Sequence, residues 1–207
     1  MLVVGLIDFG LCNLDSITRA LEYCGARVFR ISDGNQPFSV SHLVLPGVGS
    51  FKTAMQNLQN RNLINYLNLN VVTNNIPLLG ICLGMQLLAE ISFEQGETKG
   101  LGLIPGRIVK LQSSKNYKLP HVGWNEVNYT DNEFFSGIRQ HEDFYFVHNY
   151  HFECDRRYQI AETQYEKPFI SAVRRKHVIG VQFHPEKSQT AGMQLLKNFL
   201  YYMGMFP

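Results

Sequence analysis

"LLGICLGMQLL", residues Leu78–Leu88, is an apolar run with one reactive atom at its centre, the thiol of Cys82. A cysteine that only filled core volume would need no glycine two residues away on each side. Gly80-x-Cys82-x-Gly84 has the spacing of a nucleophile elbow, in which a tight strand-to-helix turn holds the nucleophile up at the carboxyl edge of a sheet. The glycines supply room, because a Cβ at either position of so sharp a turn meets a neighbouring strand or helix. The stretch predicts a strand over "IPLLGI", a turn at Cys82 and a helix from Gly84 to about Ile91.

Upstream, "LVVGLI" reads as a first strand, "DFGLCN" as a loop, and Asp15 or Ser16 as the cap of a helix running to about Cys24. "ARVFRI" and "HLVLPG" are further strands, and helical stretches follow Gly47-Val48-Gly49 as far as about Val72. Short apolar strands alternating with amphipathic helices indicate a parallel sheet covered on both faces. Beyond about Gly100 the texture becomes strand-like: "GRIVKLQ", "VGWNEVNY", "DFYFVHNY", "YQIAETQY", "FISAVRR" and "VIGVQF" alternate with turn residues. A final helix is expected over Gln189–Tyr202 with Ser188 as its cap, since Leu195, Leu196, Phe199 and Leu200 recur at helical spacing. The expected fold is α/β, a central mostly parallel sheet flanked by helices with a mixed or antiparallel β extension. Without repeat or linker, residues 1–207 read as a single domain.

Composition narrows the classes of function. At 207 residues and 45% hydrophobic content the chain can bury a sizeable core. A net charge of +2 without a basic cluster gives no electrostatic case for nucleic acid or a membrane surface. "RRK" at Arg174–Lys176 reads as a solvated turn between two strands. Cys12, Cys24, Cys82 and Cys154 form no Cys-x-x-Cys pair, which argues against a zinc site and a disulfide scaffold. "MLVVGLIDFG" lacks a basic n-region and is interrupted by Asp8, so it does not read as a signal peptide. No run reaches the roughly 20 apolar residues of a membrane span. The cytoplasm is the expected compartment.

A second motif complements the elbow: "GVQFHPEKS", Gly180–Ser188. His184 falls at a strand end, where Pro185 prevents the strand from continuing. Glu186 follows where a turn can bring its carboxylate to one imidazole nitrogen and leave the other for a thiol. Thiolate formation needs a base and the base needs an orienting partner, so Cys82, His184 and Glu186 fit three linked roles. Singly, each has a plainer reading as core thiol, strand-end histidine or solvated carboxylate. Together with the elbow glycines they are improbable by chance. "LPGVGSF", Leu45–Phe51, lies where a parallel sheet binds ligands, and its amides can serve an oxyanion beside the amide of Leu83. A phosphate cradle is disfavoured, since the loop has neither a Walker pattern nor a full dinucleotide fingerprint, and a plain turn stays open for the loop considered alone. His148, His151 and Cys154 suggest a metal face only on a helix; in the strand-like "FYFVHNYHF" the two histidines point to opposite faces, so no metal is expected.

"GICLGMQ" and "GVQFHPE" resemble the class I glutamine amidotransferases with their cysteine-histidine-glutamate triad. "IDFGLCNLDS", "LPGVGSF", "LPHVGWN", "FYFVHNY" and "HPEKS" are similar, within that class, to the glutaminase subunits of imidazole glycerol phosphate synthases. The resemblance implies L-glutamine as substrate, no cofactor, and a separate (β/α)8-barrel cyclase subunit that receives ammonia as a heterodimer partner. It implies that Cys82 attacks the glutamine amide, His184 relays the proton and Glu186 orients His184. It further implies that Gly49 and Leu83 frame the oxyanion, that Gln86 and Glu94 grip the amino-acid end, and that Gly47 and Asn149 line the pocket. Asn13, Trp124, Tyr145 and Lys187 match positions facing the cyclase.

Cys12 stands where that family has glycine, Asn149 where it has Ser or Thr, and "KSQ" replaces "KSG". These features are similar to a paralogous branch found with surface-polysaccharide genes, in which ammonia goes to amidation of a nucleotide sugar. Both acceptors stay open at this level. A stand-alone cysteine hydrolase of the same fold could use the same triad, but needs no docking rim. A non-catalytic relic would show damage at Cys82, His184 or Glu186, and none is present.

Overall fold

The computed structural model describes residues 2–36 and 39–201. Four apolar strands form its heart: β1 (Val3–Ile7), β3 (His42–Leu45), β4 (Leu78–Ile81) and β13 (Val178–Val181). Every residue of the last three is buried, because helices lie on both faces and no solvent side is left for polar alternation. With β2 (Arg27–Ile31) they run parallel in the order β2-β1-β3-β4-β13.

One face is covered by α1 (Leu14–Tyr23) and α5 (Gln189–Tyr201), which bury Ile17, Leu21, Leu195 and Phe199. The other carries α2 (Phe51–Asn60), α3 (Leu63–Leu67), the π-helical turn that extends it over Asn68–Thr73, and α4 (Leu83–Leu87). The expected cap at Asp15 or Ser16 is corrected: α1 begins at Leu14, with Asn13 at the N-cap position. Leu14, Ile17 and Leu21 occupy one buried face, so core packing sets the start, and Asp15 instead pairs with Arg30 at 2.5 Å. Tyr202, expected to end α5, lies outside the described residues.

The helix expected to reach Ile91 stops at Leu87. The carbonyls of Leu87, Leu88 and Ala89 accept from the amides of Leu101, Ile104 and Gly102, so a returning segment caps the helix by tertiary contact. The chain then forms a small hairpin, β5 (Ile91–Ser92) with β6 (Thr98–Lys99), which the sequence reading omitted.

Beyond β13 the sheet turns antiparallel through β12 (Phe169–Arg175) and β10 (Tyr150–Glu153) to β7 (Arg107–Lys110), then parallel to β5. From β12 a flap branches through β11 (Gln159–Thr163) to β8 (His121–Tyr129) and β9 (Glu142–His148). "DFYFVHNY", expected as one strand, divides at Asn149. Its carbonyl accepts from Leu111, and the chain changes partner there from β8 to β7. Arg174, expected in a solvated turn, is largely buried and pairs with Asp131 at 2.5 Å. Among the described residues no helix is long and apolar enough to cross a membrane.

Candidate active site

Cys82 occupies the turn between β4 and α4 with φ 54° and ψ −111°. A non-glycine residue there is strained, and such strain persists only where the surroundings over-determine it. They do so through the two glycines. A Cβ on Gly84 would collide with the carbonyl of Leu45, and one on Gly80 would lie 2.7 Å from the carbonyl of Gly84. The elbow is therefore pressed into the sheet as the Gly-x-Cys-x-Gly spacing predicts.

The parallel register of β4 and β13 pairs Gly80 with Gly180 and Ile81 with Val181, and Cys82 donates its amide to Val181 O at 2.8 Å. Continuing both chains past the sheet edge brings the "QFHPE" turn beside the thiol. His184 Nδ1 lies 2.8 Å from Glu186 Oε1, with both side chains buried. His184 Nε2 is buried without a hydrogen-bond partner among the described residues. Burial alone would lower the pKa of this imidazole. The charge of the Cys82 sulfur, together with the Glu186 carboxylate, overcomes that and raises it to about 10. Imidazole and carboxylate are thus joined by a hydrogen bond, and the thiol acts on the imidazole through its charge, a grouping suited to nucleophilic attack with proton relay.

A cavity of about 320 Å³ opens on Cys82, and Gly49, Leu83, Gln86, Glu94 and Asn149 line it. Gly47 does not reach the lining; it packs where a Cβ would lie 3.2 Å from that of Leu83. Gln86 donates from Nε2 to Tyr150 O at 3.0 Å and to Gln182 Oε1 at 2.9 Å, so its Oε1 is the group left to accept. Glu94 Oε2 accepts the amide of Phe51 at 2.8 Å, tying the cavity wall to the start of α2. Asn149 is exposed at the rim.

The Gly47-Val48-Gly49 loop is held by the first loop. Val48 donates its amide to Leu11 O at 2.8 Å, and the Cys12 thiol donates to Pro46 O at 3.5 Å. Gly49 follows with φ +99°, a left-handed conformation that glycine adopts without strain. Among the residues matched to a partner face, Asn13 and Lys187 are exposed and Trp124 is 46% exposed. Trp124 meets Tyr145 edge-on at 6.0 Å, and Lys187 Nζ stands 5.4 Å from the Tyr145 ring. Tyr145 also donates its amide to Ser188 Oγ, which donates to His184 O at 2.6 Å. Ser188 directly precedes α5, and its side chain fastens the His184 turn to β9.

Sequence reasoning missed Gln182 and His121, and weighed His148 only as a metal ligand. Gln182 is fully buried and donates from Nε2 to Cys82 Sγ at 3.7 Å. Its signal was in the quoted motif: residues two apart in an extended chain face the same side, so Gln182 travels with His184. His148 lines the cavity, and its Nε2 lies 2.9 Å from His121 Nδ1. Among the described residues no three metal-ligating side chains are gathered into a site.

Three comparisons bear on this arrangement. Residues 5–203 match the family model "Glutamine amidotransferase class-I". The chain is 41% identical over 199 residues to "Imidazole glycerol phosphate synthase subunit HisH 1" of Campylobacter jejuni, covering 96% of this chain and 99% of that one. A subunit HisH of Carboxydothermus hydrogenoformans is 44% identical, with 93% and 96% covered. In fold, the chain resembles the structure of PurLQS from Thermotoga maritima, with a TM-score of 0.73 at 16% identity and 97% and 98% covered. A glutamine amidotransferase of the same organism gives a TM-score of 0.67 at 20% identity, with 99% of each chain covered.

Proposed function

This chain belongs to the class I glutamine amidotransferase family, and we propose that it is the glutaminase subunit of an imidazole glycerol phosphate synthase. The observation that carries the chemistry is the parallel pairing of β4 with β13, which brings Cys82 beside a histidine already held by a carboxylate. The observation that carries the pathway is identity of 41–44% to subunits of that synthase over nearly the whole of both chains.

In this reading Cys82 Sγ attacks the side-chain amide carbon of L-glutamine. The amide π electrons move onto oxygen, where the amides of Leu83 and of the Gly47-Val48-Gly49 loop receive the charge. His184, protonated at Nε2, gives that proton to the departing nitrogen, and the C–N bond breaks to ammonia and a thioester. Water then adds to the thioester, His184 takes its proton, and the C–S bond breaks to release glutamate. Glu186 holds His184 in orientation and favours its charged form. Gln86 Oε1 can accept from the α-ammonium group of glutamine. Glu94 grips the same amino-acid end, and Asn149 borders it.

The ammonia passes to a (β/α)8-barrel cyclase subunit docked on the face carrying Asn13, Trp124, Tyr145 and Lys187. A location in the cytoplasm, a single domain spanning residues 1–207 and an absence of cofactor complete the reading. The test is growth without histidine: the gene, supplied to a strain lacking its glutaminase subunit together with the cognate cyclase, restores growth, and Cys82→Ala does not. A second reading, supply of ammonia for nucleotide-sugar amidation, is favoured by Cys12 in the first loop and Asn149 at the rim. Failure to restore histidine growth with glutaminase activity intact selects it.

A further inference from the structure

Gln182 fills no volume that an apolar side chain of similar size could not fill. A fully buried amide is retained at a cost unless both its ends are bonded. Both are, and their direction is set from outside the residue. Tyr150 O can only accept, so the Gln86 atom 3.0 Å from it is the NH₂ group. The second hydrogen of that group points at Gln182, 2.9 Å away, which must therefore present its oxygen there. The amide nitrogen of Gln182 is left facing Cys82 Sγ at 3.7 Å.

Tyr150 O is held in turn from the other side. It accepts from His148 Nδ1 at 2.9 Å, so His148 Nε2 is unprotonated and accepts from His121 Nδ1 at 2.9 Å. His121 Nε2 then accepts from Asn125 Nδ2 at 3.3 Å. The far end agrees independently: Asn125 Oδ1 accepts the amide of Glu126 and Nδ2 donates to Gln164 O, so Nδ2 is a donor. Burial keeps both imidazoles neutral, lowering His148 to about 3 and His121 to about 4, as this proton order requires.

We propose that Gln182 is a positioning residue that presents an N–H to the Cys82 sulfur, its direction imposed by Tyr150 O through Gln86. The proposal rests on Cys82 being the nucleophile. A donor aimed at sulfur stabilises thiolate over thiol and holds the sulfur in place between His184 and the cavity. The same proton order leaves Gln86 Oε1 as an acceptor toward the ligand. One chain of hydrogen bonds thereby links the grip on substrate to the state of the nucleophile.

The full-length chain is treated with iodoacetamide across a range of pH, and alkylation of Cys82 is followed by mass spectrometry. The titratable side chains around the sulfur are His184, with Glu186 behind it, and His148 and Glu94 in the cavity wall; these are unchanged in the variants, and Gln182→Glu alone adds another. Gln182→Met removes the donor at nearly constant volume and should displace the profile to higher pH by about one unit, tenfold in the thiolate equilibrium. Gln182→Glu keeps the acceptor for Gln86, sets an oxygen against the sulfur, and should displace it further. Gln86→Met frees Gln182 to rotate without altering it, and should displace the profile in the same direction. It serves if a Gln182 variant does not fold. Profiles that superimpose on the wild type in the folded variants overturn the proposal. Failure of the underlying reading looks different: Cys82 of the wild-type chain then reacts no faster than Cys24.

Discussion

The amide of Val48, in the loop after β3, is bonded to the carbonyl of Leu11 across 2.8 Å, so although Val48 and Gly49 line the cavity, this N–H is directed to the loop after β1 and not into the cavity. Those loops meet where the strand order reverses, the usual ligand crevice of an α/β sheet. An oxyanion donor turned away costs about 2.7–4 kcal/mol in the transition state, roughly a hundred- to thousandfold in rate. The isolated chain should therefore release glutamate slowly, and a partner docking beside Asn13 should stimulate it by that factor. Lys187→Ala should blunt the stimulation more than it raises the glutamine KM. Steady-state glutamate production with and without the cyclase decides this, and full activity of the lone chain would favour a stand-alone hydrolase.

Under the proposed mechanism, removing Cys82 and removing Glu186 should differ in degree. Cys82→Ala should lower glutamate release about 10⁶-fold and Glu186→Gln about 10⁴-fold, by analogy with hydrolytic triads. Equal losses would mean that Glu186 does more than orient His184. Saturation kinetics with purified partner separate the two.

Selectivity among the four thiols should be steep. Burial pushes Cys12 and Cys154 up to about 12 and raises Cys24, so none of these forms thiolate readily near neutral pH. A glutamine analogue bearing an electrophile should label Cys82 alone. Brief treatment and peptide mass spectrometry will show it, and labelling of Cys12 at a similar rate would contradict the assignment.

Gly84→Ala should be among the most damaging single changes in the chain. Its new Cβ meets the Leu45 carbonyl, a backbone atom of a buried strand that has no rotamer to move into. A loss of at least about 3 kcal/mol is expected, the upper end for overpacking. Urea denaturation measures it; a midpoint within experimental error of wild type would refute the close approach.

Acid sensitivity follows from the buried histidines. Burial lowers His42 and His121 to about 4 and His148 to about 3. The unfolded chain binds those protons near pH 6.5 and the folded chain does not. Their contribution is therefore complete above about pH 6.5 and is lost as pH falls toward 4. His42, packed edge-on to Phe199 at 5.2 Å with Nε2 unbonded, lies at the opposite end of β3 from the site. His42→Leu should flatten the fall in denaturation midpoint between pH 7 and pH 5. An unaltered slope would show that His42 is not one of the groups responsible.

Much of the molecule was legible in the chain because the relevant physics is local. Apolar runs such as "HLVL" and "IPLLGI" are strands buried on both sides, and the Cys82 elbow is declared by its two glycines. Local rules placed the start of α5 at Gln189 but missed two other helix boundaries. Asp15 is a good capping residue, yet α1 starts at Leu14 because a buried face, not a cap, decides where the helix docks. α4 ends early because residues of the 101–104 segment bond its last carbonyls, a contact no window of sequence contains.

The amino-acid sequence by itself determined the candidate chemistry: a cysteine in a strained turn, a histidine at a strand end and a carboxylate two residues on. Residue type and spacing suffice for that, since turns and strand ends are short-range structures. Only the tertiary structure decided which groups act on one another. The register of β4 against β13 carries Cys82 to Gln182 and His184 across about a hundred residues of chain. The partner change at Asn149 turns Tyr150 O toward Gln86 and His148. The direction of the protons from Gln86 to Cys82 depends on one backbone carbonyl, and a hydrogen bond between distant residues exists only once packing has brought its two ends together.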